Sequence, residues 1–261
     1  MQTFYDFHTT KIEGKEQFTS NYKIIFLFLA LSIFTLAKEP FKLHENKRII
    51  AHVVDPKHDE LNFYLKDDKK NIFKSFKNLN NYLKTKHKTL TFAMNGGMYM
   101  ENSMPLGLYV ENGKVIRKTN RVKKAFGNFY MQPNGVFFIT KKNNAYIKKT
   151  TDFKYKKYIK YATQSGPMLL INGKMHPKFR KGSDNLHIRN GVGILADGRL
   201  LFAISNELIN FYDFATFFKN NGCKNALYFD GFVSRIYLPP EHDNLPSSSF
   251  GVIIGQVKKI K

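Results

Sequence analysis

The chain has 261 residues, of which 43% are hydrophobic, so it can bury a sizeable core and is not a generally disordered protein. Its 42 lysines and arginines against 20 acidic residues give a net charge of +22, which favours anionic partners. The basic residues are scattered in short pairs such as Lys123-Lys124 and Lys148-Lys149, and no nucleic-acid-binding motif occurs. We therefore expect no nucleic-acid partner.

The first feature along the chain is an uncharged apolar run from Ile24 to Ala37. It is shorter than the roughly 20 residues of a membrane-spanning helix and fits the about 7–15 residues of a signal-peptide core. Thr35-Leu36-Ala37 resembles a small-residue cleavage site. We expect residues 1–37 to be an export signal or an N-terminal anchor, with a buried core helix as the alternative. The protein is then periplasmic or in the cell envelope, and it meets the membrane only if this segment is not cleaved.

The spacing of apolar residues predicts the next elements of the chain. Period-two alternation indicates strands over residues 48–55 and 61–66, and a further strand is expected over residues 89–94. Apolar residues recur at helical spacing between them and predict a helix over residues 72–83.

Turn residues predict hairpins in the second half of the chain. Three pairs lie between apolar runs and suit the positive φ angles of tight turns: Asn112-Gly113, Asn172-Gly173 and Asp197-Gly198. A second helix is expected over residues 211–220, with Asn210 as N-cap and Gly222 as its stop. A strand over residues 226–230 follows. The fold class is therefore α+β, with residues 38–261 forming a single domain that has a mixed or antiparallel sheet, several hairpins and about two main helices.

Four junctions between an apolar run and a cluster of polar residues and glycines mark the candidate site. They are Asn95-Gly96-Gly97, Gln164-Ser165-Gly166, Arg189-Asn190-Gly191 and Asp230-Gly231. Glycine lets the backbone approach a ligand closely, and polar side chains hold a ligand by directional bonds. We predict a polar cleft assembled from strand ends, although each junction alone can also be a simple turn.

Arg189 and His187 are candidates for binding and proton transfer. In a strand their side chains share one face because of the two-residue alternation. An arginine fork holds a phosphate or carboxylate through two parallel bonds, and a histidine beside it can donate to the same ligand or transfer a proton. The alternative is a surface arginine and a packed histidine.

Asp230 is the candidate acid, base or nucleophile, because it ends a predicted strand directly before Gly231. Ser234 and Arg235 lie just beyond and can add a hydroxyl and an anion contact. The amide of Asn95 can bind sugar hydroxyls or orient a catalytic group. The alternative is an aspartate that caps its own turn. No GxSxG, HExxH, Walker or GxGxxG motif occurs, and we expect neither a metal nor a cofactor.

In their order along the chain these segments resemble the phosphodiester glycosidase family. That family includes the enzyme that uncovers mannose 6-phosphate on lysosomal proteins, and a bacterial branch related to exopolysaccharides. The resemblance spans roughly residues 48–238. It rests on Asn95-Gly96-Gly97, Gly127-Asn128-Phe129, Pro133-Asn134-Gly135-Val136-Phe137, Gln164-Ser165-Gly166-Pro167, Arg189-Asn190-Gly191-Val192-Gly193, Asn225-Ala226-Leu227 and Asp230-Gly231.

One segment departs from the uncovering-enzyme branch. That branch carries an Asp-Gly-Gly-Gly-Ser type segment, where this chain has Asp230-Gly231-Phe232-Val233-Ser234. We expect Phe232 and Val233 to narrow this part of the cleft, so the same substrate does not follow, and the exopolysaccharide-related branch is the more similar.

The resemblance implies cleavage of a sugar-1-phosphodiester between the anomeric carbon and its phosphate oxygen. It implies that Arg189 stabilises the departing phosphate and that Asp230 acts on water or stabilises an oxocarbenium-like centre. The substrate contacts it implies come from Asn95, Gly96, Gly97, Gln164, Ser165, Gly166, Asn190 and Ser234. The partner is then a carbohydrate phosphodiester or an anionic glycan. The alternative is a glycan-binding protein of the cell envelope without catalytic activity.

Overall fold

The computed structural model describes residues 42–242 and 249–260, and the predicted export segment lies outside them. Residues Leu43–Lys261 form one compact unit. The helices are α1, Phe76–Lys84, and α2, Phe211–Asn220, and a 3-10 turn covers Asn128–Tyr130. The strands of the described residues are β1 Ile49–Val54, β2 Leu61–Tyr64, β3 Lys88–Asn95, β4 Tyr109–Glu111, β5 Lys114–Arg117, β6 Gly135–Thr140, β7 Ala145–Lys149, β8 Ile159–Ser165, β9 Met168–Ile171, β10 Lys174–Met175, β11 Asn190–Ile194, β12 Leu200–Ser205, β13 Asn225–Asp230, β14 Ile236–Tyr237 and β15 Ile253–Lys259.

The strands form three antiparallel sheets. Sheet I has six strands in the order β1-β12-β11-β13-β9-β10. Sheet II has four in the order β14-β3-β15-β2, and sheet III has five in the order β5-β4-β8-β6-β7. The predicted α+β class, with a single domain and two main helices, is confirmed, and the sheet pairing is antiparallel throughout the described strands.

One hydrophobic cluster joins the three sheets. Sheet I contributes Val192, Phe202 and Leu227, sheet II contributes Phe92, and sheet III contributes Phe137, all of them buried. Burial of such side chains stabilises by about 1.5–3 kcal/mol each relative to exposure. The inner faces of the sheets therefore share one core, and strand ends from different sheets meet at its edge.

The two helices cover outer faces of sheets I and II. Helix α1 places Phe76, Leu79 and Leu83 against Leu90 of β3. Its first residue is Phe76 because Ser75, in an extended conformation, accepts the backbone N–H of Asn78 as N-cap. The predicted start at residue 72 was wrong, since the apolar residues 72 and 73 precede this cap in the connection from β2.

Helix α2 has the predicted bounds. Asn210 accepts the backbone N–H of Asp213 at 2.8 Å as N-cap, and Gly222 follows the helix with a φ of 75°. The predicted hairpins are also present, between β4 and β5, β9 and β10, and β11 and β12. Within the residues that the structure describes, no helix is long and apolar enough to cross a membrane.

Candidate active site at the ends of three strands

Four buried polar residues meet where strands of sheets I and II end. Asn95 is the last residue of β3, Asn190 is the first of β11, and Asp230 is the last of β13. Ser234 lies in the connection that follows β13. All four are at most 5% exposed. We call this group the Asp230 junction.

A register shift in sheet I places Asp230 opposite Asn190. Gly191 is paired with Tyr228, whereas Asn190 is paired with Asp230, so β13 carries one extra residue at this point. Residues paired across antiparallel strands share a face, and a bulge re-aims the side chains around it. Asn190 faces Asn95 and accepts the backbone N–H of Asp230, while Tyr228 lies beside Arg189.

The two asparagines connect sheets I and II. Asn190 Nδ2 donates to Asn95 Oδ1 at 2.8 Å and to the Asn95 carbonyl at 3.0 Å. Asn190 Oδ1 accepts the backbone N–H of Asp230 at 3.0 Å, and Asn95 Oδ1 accepts that of Arg235 at 2.9 Å. Backbone N–H groups can only donate, so both amides have one possible orientation.

This orientation leaves one donor without a partner. Asn95 Nδ2 is buried and makes no hydrogen bond in the structure. A buried polar group without a partner costs about 1–3 kcal/mol, and such groups are rare in folded proteins. The Asn95 amide is therefore a buried, fixed donor that the protein itself leaves without a partner.

Burial raises the pKa of Asp230 above its usual value of 3.8, against the backbone N–H groups of Phe232, Gly231 and Val233, which lower it. The Phe232 N–H donates to Asp230 Oδ1 at 2.8 Å. The carboxyl group is thus held by main-chain donors in the turn that follows β13. It has the desolvated environment typical of a catalytic carboxyl group.

Ser234 and Tyr99 complete the surroundings of Asp230. Ser234 Oγ lies 2.7 Å from the Asp230 carbonyl and 3.1 Å from that of Ile188, so its hydroxyl donates to a backbone carbonyl. Tyr99 is half-buried, and burial together with the Asp230 charge raises its pKa. Its hydroxyl donates to the Ser249 carbonyl at 2.6 Å. The sequence analysis missed Tyr99 as a site residue, although it lies two residues beyond Gly97.

Arg189 lies on the other face of the sheet. Its Nε donates to the Ile209 carbonyl at 2.8 Å, its Nη2 to the carbonyl and Oδ1 of Asn185 at 2.7 and 2.6 Å, and its Nη1 to Tyr228 Oη at 3.3 Å. The guanidinium carbon lies 3.6 Å from the centre of the Phe211 ring. We call this environment the Arg189 pocket. The predicted fork for phosphate is fully buried here and bound to neutral groups of the protein.

Tyr228 connects the Arg189 pocket with the turn after Asp230. A Cβ atom at Gly231 would lie 1.8 Å from Tyr228 Oη and 3.6 Å from His187 Cβ, so only glycine fits. The hydroxyl of Tyr228 thus packs directly against Gly231.

His187 is exposed beside Gly231. Partial desolvation of its ring and the charge of Arg189 lower its pKa, which favours the neutral imidazole. Phe232 is 95% exposed, because its backbone N–H faces the Asp230 carboxylate while its side chain turns to solvent. The expectation that Phe232 narrows the cleft was therefore wrong. Val233 is half-buried and packs against the cluster under α1.

The Gln164-Ser165-Gly166 segment is bound to the protein itself. Gln164 Oε1 accepts the backbone N–H groups of Leu108 and Asn120, and its Nε2 donates to the Asn120 carbonyl at 2.7 Å. Ser165 Oγ donates to the Phe229 carbonyl at 2.8 Å. These two side chains connect sheet III with its loops and with β13, and they present no free donor to a ligand.

The three glycines predicted to bind substrate lie where neighbouring side chains leave no room for a Cβ atom. A Cβ atom at Gly96 would be 2.6 Å from Ile254, one at Gly97 2.9 Å from Thr163 Oγ1, and one at Gly166 2.5 Å from Asn134. Thr163 Oγ1 donates to the Gly96 carbonyl at 2.7 Å. Gly96 therefore lets the end of β3 lie against Ile254 of β15, Gly97 lets it lie against Thr163 of β8, and Gly166 lets the end of β8 lie against Asn134. In the described part of the chain no group of three or more His, Cys, Asp or Glu residues is placed to hold a metal ion.

Known structures share this arrangement of sheets. The chain matches the catalytic domain of zebrafish N-acetylglucosamine-1-phosphodiester alpha-N-acetylglucosaminidase, solved in a form auto-inhibited by its pro-peptide, with a TM-score of 0.56, 15% identity and coverage of 82% of this chain and 85% of that one. A crystal structure of a Burkholderia pseudomallei protein matches with a TM-score of 0.54 and 9% identity, over 80% of this chain and 73% of that one. At these identities the similarity establishes the fold.

The sequence comparisons establish the family. The phosphodiester glycosidase family matches over residues 88–248. The uncharacterized protein YigE of Escherichia coli K12 is 35% identical over 228 residues, which cover 86% of this chain and 89% of YigE. The chain belongs to the phosphodiester glycosidase family, and the resemblance deduced from its motifs is confirmed.

Proposed function

We propose that the protein is a hydrolase that cleaves a sugar-1-phosphodiester between the anomeric carbon and the phosphate oxygen, at the Asp230 junction. The observation that carries the proposal is the pairing of a buried, desolvated carboxyl group with an amide N–H that has no partner in the protein. Membership of the phosphodiester glycosidase family supports this reaction class.

Asp230 is the residue that acts on the reacting carbon. A phosphomonoester leaves more readily than a sugar alkoxide, so the main requirement is to stabilise positive charge on the sugar or to activate water. A carboxylate in a desolvated site does both more strongly than one in water. The main-chain donors of Gly231, Phe232 and Val233 keep it in place before the substrate binds.

Asn95 binds a sugar or phosphate oxygen through Nδ2. Its Oδ1 is held by Asn190 and by the Arg235 backbone, so the amide is already oriented without a ligand. Such preorganised donors stabilise charge that develops in the transition state without the cost of reorganisation. The half-buried Tyr99 and the exposed His187 and Arg235 lie beside these groups, where they can contact the phosphate.

Arg189 acts through position rather than by contact with phosphate. Its hydrogen bond to Tyr228 holds the tyrosine hydroxyl against which Gly231 packs. Gln164 and Ser165 likewise do not contact the substrate in this proposal. Their side chains hydrogen-bond within the protein and hold the neighbouring backbone in place.

The cellular setting follows from the apolar run at residues 24–37. We place the protein in the periplasm or cell envelope, where phosphodiester-linked or exopolysaccharide sugars are the available substrates. N-terminal sequencing of protein recovered from the envelope is expected to begin near Lys38. A cytoplasmic protein that retains Met1 contradicts this location.

Incubation of the purified protein with a panel of sugar-1-phosphodiesters tests the reaction. Release of a free sugar and a phosphomonoester is expected, and Asp230→Asn should abolish it, while Asp152→Asn, at an exposed position, should not. Binding of these compounds without turnover by the wild-type protein contradicts the hydrolase and favours a non-catalytic glycan-binding protein.

A further inference from the structure

A second candidate site lies on the hairpin of β6 and β7, away from the Asp230 junction. A cavity of about 580 Å³ opens there, and we call it the Tyr146 cleft. Its wall contains three aromatic rings and three lysines, namely Phe138, Tyr146, Tyr158, Lys141, Lys142 and Lys148. Neither the proposed reaction nor any comparison uses these residues.

The aromatic part of the Tyr146 cleft is rigid and partly exposed. Phe138 and Tyr146 are paired across β6 and β7, and their rings stack with centres 5.2 Å apart and an angle of 25° between their planes. Phe138 is 3% exposed, whereas Tyr146 is 43% and Tyr158 52% exposed. A buried ring thus supports an exposed one. The apolar C–H face of a sugar ring can pack on such a platform.

The charged part of the Tyr146 cleft is uncompensated. Lys141, Lys142 and Lys148 are exposed, and in the described part of the chain none of them has a carboxylate within 4.0 Å. No acidic residue lines the cavity. Lysine side chains that are not bound to the protein are available for an anionic ligand.

The surroundings limit the length of that ligand. A neighbouring cavity of about 640 Å³ shares Tyr146 and Lys148 and also contains Asp152. A third cavity shares Tyr146 and contains Asp55 and Asp197. Both neighbouring cavities therefore contain carboxylates, whereas the Tyr146 cleft contains none. A nucleic-acid strand needs a continuous basic groove, so a short anionic saccharide fits better.

The Tyr146 cleft is separate from the Asp230 junction. Gly135, the first residue of β6, is paired with Ser165, whose hydroxyl binds the backbone of β13 near Asp230. Phe138 lies three residues further along β6, which corresponds to about 10 Å. A ligand in the cleft therefore does not occupy the junction.

We propose that the Tyr146 cleft binds a segment of an anionic saccharide, with a sugar ring packed on Tyr146 and its carboxylate or phosphate held by Lys141, Lys142 and Lys148. This binding goes beyond the proposed hydrolysis, since it requires no bond cleavage. It anchors the protein on a charged glycan while the Asp230 junction remains free.

Isothermal titration calorimetry tests the proposal with four probes: oligogalacturonate tetramer, α-glucose 1-phosphate, neutral maltotetraose and single-stranded DNA. We expect binding of the oligogalacturonate or the sugar phosphate, and the comparison of the two identifies the anionic group that is preferred. Neutral maltotetraose should bind more weakly than either. The oligogalacturonate carries no phosphate, so its binding is independent of the proposed hydrolysis. α-Glucose 1-phosphate shares the sugar-1-phosphate unit of the proposed substrate, so its binding counts for the Tyr146 cleft only if Tyr146→Ala weakens it.

Two variants and a matched control locate the binding. Tyr146→Ala should weaken binding at least about five-fold, the lower range for loss of an aromatic stacking partner, and Lys141→Gln with Lys148→Gln should weaken it similarly. Lys77→Gln with Lys84→Gln makes the same charge change at exposed positions of α1 and should leave binding unchanged. The proposal is overturned if neither anionic saccharide binds, if the α1 control weakens binding equally, or if DNA binds more tightly than both saccharides.

Discussion

Two neighbouring residues, Arg189 and Asn190, lie on opposite faces of sheet I and have very different surroundings. On the Arg189 side the protein itself supplies the hydrogen-bond partners, since the guanidinium binds Asn185, Ile209 and Tyr228 and packs on an aromatic ring. On the Asn190 side one donor, Asn95 Nδ2, remains unused beside a carboxyl group whose pKa is raised.

The two faces thus differ in how much of their hydrogen-bonding capacity the protein itself uses. Groups with complete hydrogen bonding stabilise the fold and have nothing left to offer a ligand. A buried donor without a hydrogen-bond partner and a desolvated charge both lower the stability of the free protein. A ligand that binds them removes this cost. We therefore expect substitutions on the Arg189 face to act mainly on stability and those on the Asn190 face mainly on activity.

The largest effect is expected for Asp230→Asn. Loss of a positioned acid or base costs about 10²–10⁴-fold in rate, so turnover of a sugar-1-phosphodiester should fall by that factor. Stability should not fall with it, because the variant removes a charge that burial disfavours. Turnover and thermal unfolding measured on the same sample separate the two effects. Near-normal turnover with a lowered melting temperature would assign Asp230 to the turn alone.

The same variant has an expected pH signature. The folded pKa of Asp230 is raised above the usual value of 3.8, so ionisation costs more in the folded protein than in the unfolded chain. The stability contributed by this group is present below the unfolded pKa and is lost as pH rises through the folded pKa. The melting temperature of Asp230→Asn minus that of the wild type should therefore increase with pH in this window. A constant difference contradicts it.

Arg189→Lys should mainly destabilise the protein. Lysine keeps the charge but cannot reproduce the planar set of donors to Asn185, Ile209 and Tyr228. Loss of hydrogen bonds from a charged group costs about 1.5–3 kcal/mol each, so denaturant unfolding should show a loss of at least about 2 kcal/mol. Activity should fall as well, because Tyr228 supports Gly231. Arg180→Lys, at an exposed position, is the control. Undiminished stability and turnover would remove Arg189 from both roles.

The two asparagines of the Asp230 junction provide a matched pair. In Asn95→Asp the free N–H donors become an acceptor, while the acceptor used by Asn190 and Arg235 is kept. The KM for an anionic substrate should rise, and this rise, converted to a free energy, should exceed the decrease in the free energy of unfolding. In Asn190→Asp both used donors are lost, and about 1–3 kcal/mol of stability should be lost for each group left without a partner. Equal effects of the two variants on KM and on unfolding would contradict the assignment.

The smallest effect is expected at Gly231. Gly231→Ala places a Cβ atom within 1.8 Å of Tyr228 Oη, and a typical cost of such overpacking is about 1–3 kcal/mol. Tyr228→Phe removes the clashing oxygen, so the double variant should be less destabilised than the sum of the single ones. A coupling energy of about 0.5 kcal/mol or more is expected from thermal unfolding. Strict additivity would contradict the contact.

The sequence predicted the parts of the molecule that local chemistry determines. Asn210 and Gly222 mark both ends of α2 because capping depends only on neighbouring residues. The hairpin turns at Asn112-Gly113 and Asn172-Gly173 follow from two successive positive φ angles. The start of α1 was predicted too early because Phe73 is apolar like the helix residues that follow it. It packs in the cluster beneath the helix without being part of the helix.

The candidate site could be predicted only in part. In the structure Asn95, Asn190, Asp230 and Ser234 lie together, whereas Arg189 lies on the other face of the sheet, because the face on which each residue lies depends on tertiary structure. The extra residue of β13 at the register shift has no signal in the sequence, and it separates Tyr228 from Asp230. The burial of Arg189 depends on Phe211, which α2 brings from a distant part of the chain. The roles of these residues in turnover stay predictions.

The order of strands in sheet II has a consequence for the synthesis of the protein. Strand β3, which ends at Asn95, has only β14 and β15 as neighbours among the described strands, and β15 lies between β3 and β2. Both neighbours belong to the last part of the chain. Pairing across such long separations forms slowly, and a chain still under synthesis has no partner for β3. Asn95 therefore reaches its position only after the C-terminal strand has been made and docked, so a chain truncated before residue 253 is expected to lack the Asp230 junction.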